Sequence, residues 1–181
     1  MCMEPKPRTP QKKVTVLGLG GSGGKIVHYL QEKGADFNLL YADDDEQSLM
    51  ESTVNSVRVA DCKGNDIETL VSAIGNSEKL IVVAGLGGNF GVIAIPMAAY
   101  IAEQLELDMD FIFSYPAKFE GKGRKDNADL VIGLLNQSNI NPTIYEFDKL
   151  IDNLDRKISL EDMLNIMNEA IYRKIEQRKD K

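Results

Sequence analysis

Val14-Thr-Val-Leu-Gly-Leu-Gly-Gly-Ser-Gly-Gly-Lys25 joins a short apolar run to a glycine-dense turn, and an apolar-periodic segment follows directly. The run reads as a buried strand, and Lys25 to Lys33 as a helix that stops at Gly34, the residue type favoured just past a helix C-terminus. Glycines between the two let the backbone take positive φ and let a bulky anion reach the amides without meeting a Cβ. A turn of this kind opening a helix offers phosphate both free N–H groups and the positive end of the helix dipole. The stretch therefore predicts a nucleotide site.

Downstream the strand–helix alternation continues. Asn38 to Ala42 reads as a second strand ending in Asp43-Asp44-Asp45, followed by a short helical piece around Gln47 to Glu51 and a third strand from Val57 to Ala60. Asn65-Asp-Ile-Glu68 has the spacing of a capping box. Leu80 to Ala84 is a wholly apolar strand that runs into a second glycine turn, Gly85-Leu-Gly-Gly-Asn-Phe-Gly91, before an apolar helix from Val92 to Leu105. Phe111 to Phe113 and Thr143 to Tyr145 supply the last strands, with a polar loop expected over Tyr115 to Lys125 and a helix over Asp129 to Leu135. Ser159, with Asp162 three residues on, caps a long helix whose Leu160, Met163, Leu164, Met167, Ile171 and Ile175 share one face. The charged residues from Arg173 onward read as a solvated end. The pattern predicts an α/β fold, a doubly wound, mostly parallel sheet with helices on both faces and ligands bound beyond the carboxyl ends of its strands. One domain is expected over 13–178, after a flexible tail over 1–12.

Composition narrows the function. The 181 residues are 43% apolar and 27% charged, enough for a core that buries roughly 70% of the unfolded surface. No run approaches the length of a membrane span, and the proline-bearing start lacks the apolar core of a secretory signal, so a cytoplasmic protein is expected. A net charge of −7 argues against a nucleic-acid partner. Two distant cysteines and a single histidine make no zinc set. His28, beside Ile26, Val27 and Leu30, reads as a boundary residue rather than a catalytic one.

Several phosphate-binding patterns compete for the first turn. A Walker A loop fails, because Leu19 stands at its first glycine and Ile26 at its metal-binding hydroxyl. The dinucleotide fingerprint is met by Gly18, Gly20 and Gly23, with Asp43 at about the expected distance of 20 residues. The second glycine turn and the segment Tyr115-Pro-Ala-Lys-Phe-Glu-Gly-Lys-Gly-Arg124 exceed what that fingerprint needs. Taken in order, Gly18 to Lys25, Ala84 to Pro96, Tyr115 to Arg124 and Asp148-Lys-Leu150 resemble the motifs of the FtsZ/tubulin GTPase domain, and Ile158 to Asp162 resembles the start of that family's central helix. The resemblance runs from about Val14 to Ile175.

It implies GTP or GDP as ligand, with Mg²⁺ between the phosphates and the Asp43 to Asp45 carboxylates, and a homo-oligomer or FtsZ-like filament as partner. Amides of Gly20, Gly21, Ser22, Gly23 and Gly24, with those of the second turn at Gly87, Gly88, Asn89 and Gly91, would hold phosphate. Glu120 and Arg124 match positions on the sugar and base side, and Asn168 matches the position that reads the guanine edge. Several residues depart from the pattern. Phe90 and Val92 replace two threonines of the phosphate signature and Ile93 its last glycine, Phe147 replaces a base-facing Asn, and Lys25 replaces an Asn and would bind the nucleotide by placing a positive charge near the phosphates. Asp61 to Asn65 is shorter than the family's γ-phosphate loop. The sequence ends at Lys181, before the family's second domain with its catalytic acidic loop. The resemblance thus implies a guanine-nucleotide-binding protein with weak or absent hydrolysis. Two alternatives stay open: an NAD-binding or adenylating enzyme using Asp43 and Asp45, and a scaffold whose glycine turns hold no ligand.

Overall fold

A computed structural model describes residues 14–152 and 158–179. Six strands, β1 (Val14–Leu19), β2 (Asn38–Asp43), β3 (Asn55–Arg58), β4 (Lys79–Gly85), β5 (Asp108–Tyr115) and β6 (Thr143–Glu146), form one sheet in the order β3-β2-β1-β4-β5-β6. Every pairing is parallel, with Leu17 opposite Leu40 on one side and Val82 on the other. The helices are α1 (Gly20–Glu32), α2 (Glu46–Met50), α3 (Gly64–Ile74), α4 (Asn89–Gln104), α5 (Lys122–Gln137), α6 (Phe147–Ile151) and α7 (Leu160–Glu176), with a 3-10 turn over Lys118–Glu120.

Side chains alternate across the strands and divide the core in two. Leu17, Leu19, Val82, Ala84 and Phe113 pack with residues of α3, α4 and α5, while Val16, Ile81, Val83 and Ile112 pack with those of α1 and α7. The central strands are buried on both faces, which is why they read as continuous apolar runs. No helix among the described residues is long and apolar enough to cross a membrane.

Several element boundaries differ from the sequence reading. α1 and α4 begin at Gly20 and Asn89, so each glycine turn contributes the first turn of its helix rather than a loop before it. The third strand is Asn55–Arg58, slightly earlier than expected. The capping box at Asn65 does not form. α3 starts at Gly64, and Asp66 instead accepts the amides of Asp61 and Cys62 at 2.9 and 2.8 Å. The polar stretch ending at Lys125 is mostly ordered as the 3-10 turn and the start of α5. Ser159 caps α7 as expected, accepting from Asp162 N at 3.1 Å. The residues after Arg173 are not simply solvated, since Ile175 is fully buried and Arg178 and Lys179 pair with Asp110 and Asp36. The expected tail over 1–12 lies outside the described residues.

Lys79, at the amino end of β4, is the buried cation of the sheet. Burial pushes its ammonium pKa down, but bonds to Asp108 at 2.9 Å and Asp110 at 3.1 Å outweigh that and leave it raised. The pair stabilises the fold fully below the unfolded lysine value of about 10.4, and the contribution disappears as pH climbs through the higher folded value. Lys79→Met is expected to cost about 1–3 kcal/mol at neutral pH by stripping both carboxylates of a donor. Denaturant melts should show the gap between wild type and variant narrowing above that pH, whereas a constant gap would mean the ion pairs contribute nothing.

Glycine packing gives a second test. A Cβ on Gly23 would lie 2.7 Å from the Val83 carbonyl oxygen, whereas one on Gly21 would meet nothing within 4 Å. Gly23→Ala should therefore lower stability by about 1–3 kcal/mol. Gly21→Ala should leave it unchanged or raise it by about 0.4–1 kcal/mol. Paired thermal melts compare the two.

Candidate functional site

The carboxyl ends of β1 and β4 lie side by side at the point where strand order reverses, and a helix starts from each. Ligands of open parallel sheets bind in this crevice. Neither α1, entered from Leu19, nor α4, entered from Gly88, has a side-chain cap, which leaves the first amides of both helices open to an outside acceptor. The two turns touch. A Cβ on Gly85 would lie 2.6 Å from Ser22 Oγ, and one on Gly20 would lie 3.4 Å from the Phe90 ring.

The glycines divide by what their missing side chains make possible. Gly20 and Gly87 hold positive φ, +68° and +104°. Gly18, Gly23 and Gly24 allow close packing. A Cβ on Gly18 would meet the Gly23 carbonyl and lie 2.9 Å from Val27 Cγ1, one on Gly23 would meet the Val83 carbonyl, and one on Gly24 would lie 2.7 Å from the Tyr41 ring. Gly21 and Gly88 have neither reason, with no positive φ and open space where a Cβ would be. Both stand at the crevice, where a glycine leaves room for a ligand approaching the amides. Gly91 is buried, with ordinary room beside Ile95.

From the crevice a cleft of about 250 Å³ opens between α1 and α7. It collects Ser22, Lys25, Glu120, Arg124 and Asn168 from three separate parts of the sequence. Gly87, Gly88 and Asn89 line a neighbouring open hollow that shares Glu120 and Arg124 with the cleft. Ser22, Lys25, Gly87, Gly88, Asn89, Glu120, Arg124 and Asn168 of the sequence-predicted residues line these two hollows, whereas Gly20, Gly21, Gly23, Gly24 and Gly91 line neither.

The outer wall is a strap tied at several points. Glu120 accepts the Ala117 amide at 2.9 Å and pairs with Arg124 at 3.2 Å. Asp148 accepts the Lys118 amide at 3.1 Å, so this member of the Asp148-Lys-Leu150 motif holds the strap rather than facing the cleft. Asn127, unremarked in the sequence, donates to Gly87 O and Asn89 Oδ1, each at 3.1 Å, and pins the second turn to α5. Phe119 and Phe147, also lining the cleft, meet edge to face at 6.1 Å, with Phe119 71% exposed. Nothing in their local sequence announces this, because the pairing depends on how the strap docks on α6.

The inner wall is α7, packed on α1 through buried aliphatic side chains with polar groups at the rim. Tyr29 donates to Glu169 at 2.7 Å, and Arg173 pairs with the same carboxylate at 2.8 Å. The Arg173 guanidinium, then the Tyr29 hydroxyl, hold the Glu169 carboxyl below its ordinary pKa. Asn168, next along α7, is half-buried in the cleft and makes no hydrogen bond among the described residues. Its amide therefore offers both a donor and an acceptor to a ligand edge.

His28 behaves as the boundary residue expected, with Nδ1 donating to Gly24 O at 2.7 Å and Nε2 accepting the Thr53 amide at 3.2 Å. Burial first, then the nearby carboxylates of Asp66, Asp61 and Asp44, push the Cys62 thiol up to about 11, so it is no activated nucleophile.

Asp43 and Asp45, from the run that the resemblance placed beside Mg²⁺, are bonded to donors of the chain itself. Asp43 is buried and accepts the Asp44 amide at 2.8 Å, the Asp45 amide at 3.3 Å and the Tyr41 hydroxyl. Asp45 accepts from Gln47 N at 3.1 Å and Ser48 Oγ at 2.8 Å, capping α2. Ser48 first, then the Gln47 amide, hold the Asp45 carboxyl below its ordinary pKa. Among the described residues no group of three metal-ligating side chains forms. The same commitments spend Asp43 as a ribose acceptor, the role required of it by a dinucleotide reading.

No family model matches the chain. It is 28% identical to the cell division protein FtsZ of Buchnera aphidicola subsp. Schizaphis graminum over 93% of its own length and 49% of that protein. It is 25% identical to FtsZ 2 of Rhizobium meliloti, over 88% of this chain and 52% of the relative. The chain spans about half the length of these relatives. Among solved structures, an empty FtsZ dimer from M. jannaschii superposes with a TM-score of 0.76 at 20% identity, covering 91% of this chain and 53% of that one. A GTPγS-bound protofilament of CetZ2 from Haloferax volcanii also gives 0.76 at 20% identity, covering 92% and 58%. The likeness read from four motifs thus extends over nearly all of the chain, whose fold is that of the FtsZ/tubulin nucleotide-binding domain.

Proposed function

We propose that the chain binds guanine nucleotide, hydrolyses GTP weakly or not at all, and acts by associating with itself or with filaments of a full-length FtsZ-like relative. The observation that carries this reading is the pair of glycines, Gly21 and Gly88, that leave open space at two uncapped helix starts facing one crevice. Phosphates fit there, on the amides of Gly20, Gly21, Ser22 and Gly23 and on those of Gly87 to Gly91. Base and sugar then fall in the cleft, with Asn168 at the guanine edge and Glu120 and Arg124 on the strap.

Weak turnover follows from the second turn. Phe90, Val92 and Ile93 bring no hydroxyl to the phosphates, so transition-state charge there meets only backbone donors. Assembly is supported by the relatives, one solved as a dimer and another as a protofilament. A scaffold without ligand is the second reading, favoured by Phe147, an apolar side chain in the cleft where the family offers an amide.

Denaturing protein purified without added ligand should release GDP or GTP, identified by chromatography. If nothing is released and nothing binds at millimolar concentration, the scaffold reading stands. Asn168→Ala should weaken GDP tenfold or more, the cost of about 1–3 kcal/mol for unpaired polar groups on the base, and leave ADP unchanged. Gly21→Val should abolish GDP binding while the melting temperature holds, because its side chain meets ligand and not protein. Phosphate release from GTP should stay at the level of the buffer blank or slightly above it.

A further inference from the structure

Lys25 is an uncommitted cation in the cleft. Ser22, Lys25 and Ile26 all line it, as the i, i+3 and i+4 spacing on one helix face requires. Side chains on a helix lean toward its N-terminus, so the Lys25 stem is directed back over the turn at Gly21 and Ser22, where the site reading puts phosphate. Lys25 is exposed and forms no ion pair among the described residues, whereas Arg124, the other cation lining the cleft, is bonded to Glu120.

The carboxylates at the end of β2 are arranged in the opposite way. Asp43 and Asp45 spend their oxygens on protein donors, and among the described residues no group of three metal-ligating side chains forms. A nucleoside diphosphate entering this site still brings several negative charges that must be balanced. We infer that Lys25 neutralises the phosphates directly, supplying from the chain the charge that a divalent cation would otherwise bring, so that nucleotide binding here does not depend on Mg²⁺. This rests on the guanine-nucleotide reading above and names how that site holds its ligand.

The test titrates GDP and guanosine into the full chain, in excess Mg²⁺ and in EDTA, for wild type, Lys25→Met and Lys25→Arg. Wild type should bind GDP equally well in both buffers. Lys25→Met should weaken GDP roughly tenfold or more, the loss of one charge-assisted hydrogen bond, with guanosine affinity unchanged. Lys25→Arg should retain most of the GDP affinity. Loss of guanosine and GDP alike in Lys25→Met would make Lys25 a structural residue and overturn the inference, as would a wild type that needs Mg²⁺. Wild-type binding that Lys25→Met leaves intact would overturn this inference alone, whereas a wild type that binds no GDP would overturn the site reading with it.

Discussion

The contact between Gly18 and Gly23 sets how closely α1 lies on the sheet, and the ligand edge depends on it. Gly18 faces the Gly23 carbonyl and Val27, Gly23 faces Val83, and Tyr41 packs beside Gly24. A side chain at Gly18 or Gly23 would drive the helix off β1 and β4, because its neighbours there are backbone atoms that cannot turn aside. Lifting α1 would carry Ser22 away from Gly85 and separate the two glycine turns. The same close approach that fills the core therefore aims two sets of free amides at one point. Function at this edge is a by-product of packing several residues deeper.

The cleft needs a second wall, and α7 supplies it by docking on the same helix. Met167, Ile171 and Ile175 are buried with Val16, Ile81 and Ile112, and burial of large aliphatic side chains at roughly 25 cal/mol per Å² dominates that attachment. Tyr29, Glu169, Arg173 and Lys33 add a polar cluster at the rim. Exposed pairs of this kind contribute about 0–1 kcal/mol, so their effect is mainly on orientation. Asn168 stands immediately before Glu169, and fixing one side chain fixes the rotation that presents the other. Both walls are thus referenced to α1, and the strap completes the enclosure through Glu120 and Asp148.

The strands and both glycine turns were legible in the sequence because parallel strands buried on two faces leave continuous apolar runs and tight turns leave glycines. The convergence of Ser22, Glu120, Arg124 and Asn168 was legible only through resemblance, since residues so far apart in sequence share no local pattern. Helix starts were misjudged where glycine hid them, as at Gly20, whose positive φ sits inside the first turn. The segment before Lys125 read as a loop because its glycines and charges lack apolar period, yet Glu120 and Asp148 order it through side-chain bonds to the Ala117 and Lys118 amides. Asp43 fitted three ligand roles by position alone. Its actual partners, the Tyr41 hydroxyl and two amides of its own turn, are set by backbone conformation and lie beyond what spacing can show.

The two turns differ in what they can do with a phosphate. In the second, Phe90 and Val92 are apolar at positions where the family carries threonines, and the Phe90 ring lies close to Gly20, so the space between the turns is closed by carbon rather than by a hydroxyl. In the first, the amides remain open and a lysine has been added one helical turn behind them. Under the proposed site reading, loss of donors on one side with gain of charge on the other moves phosphate recognition toward α1. Charge on a flexible stem follows a ligand in its ground state as readily as in a transition state, and binding both equally does not accelerate a reaction. Hydroxyls and amides fixed in place are what discriminate between the two states. On the guanine-nucleotide reading proposed above, a site altered in this direction is suited to holding a nucleotide rather than to cleaving it.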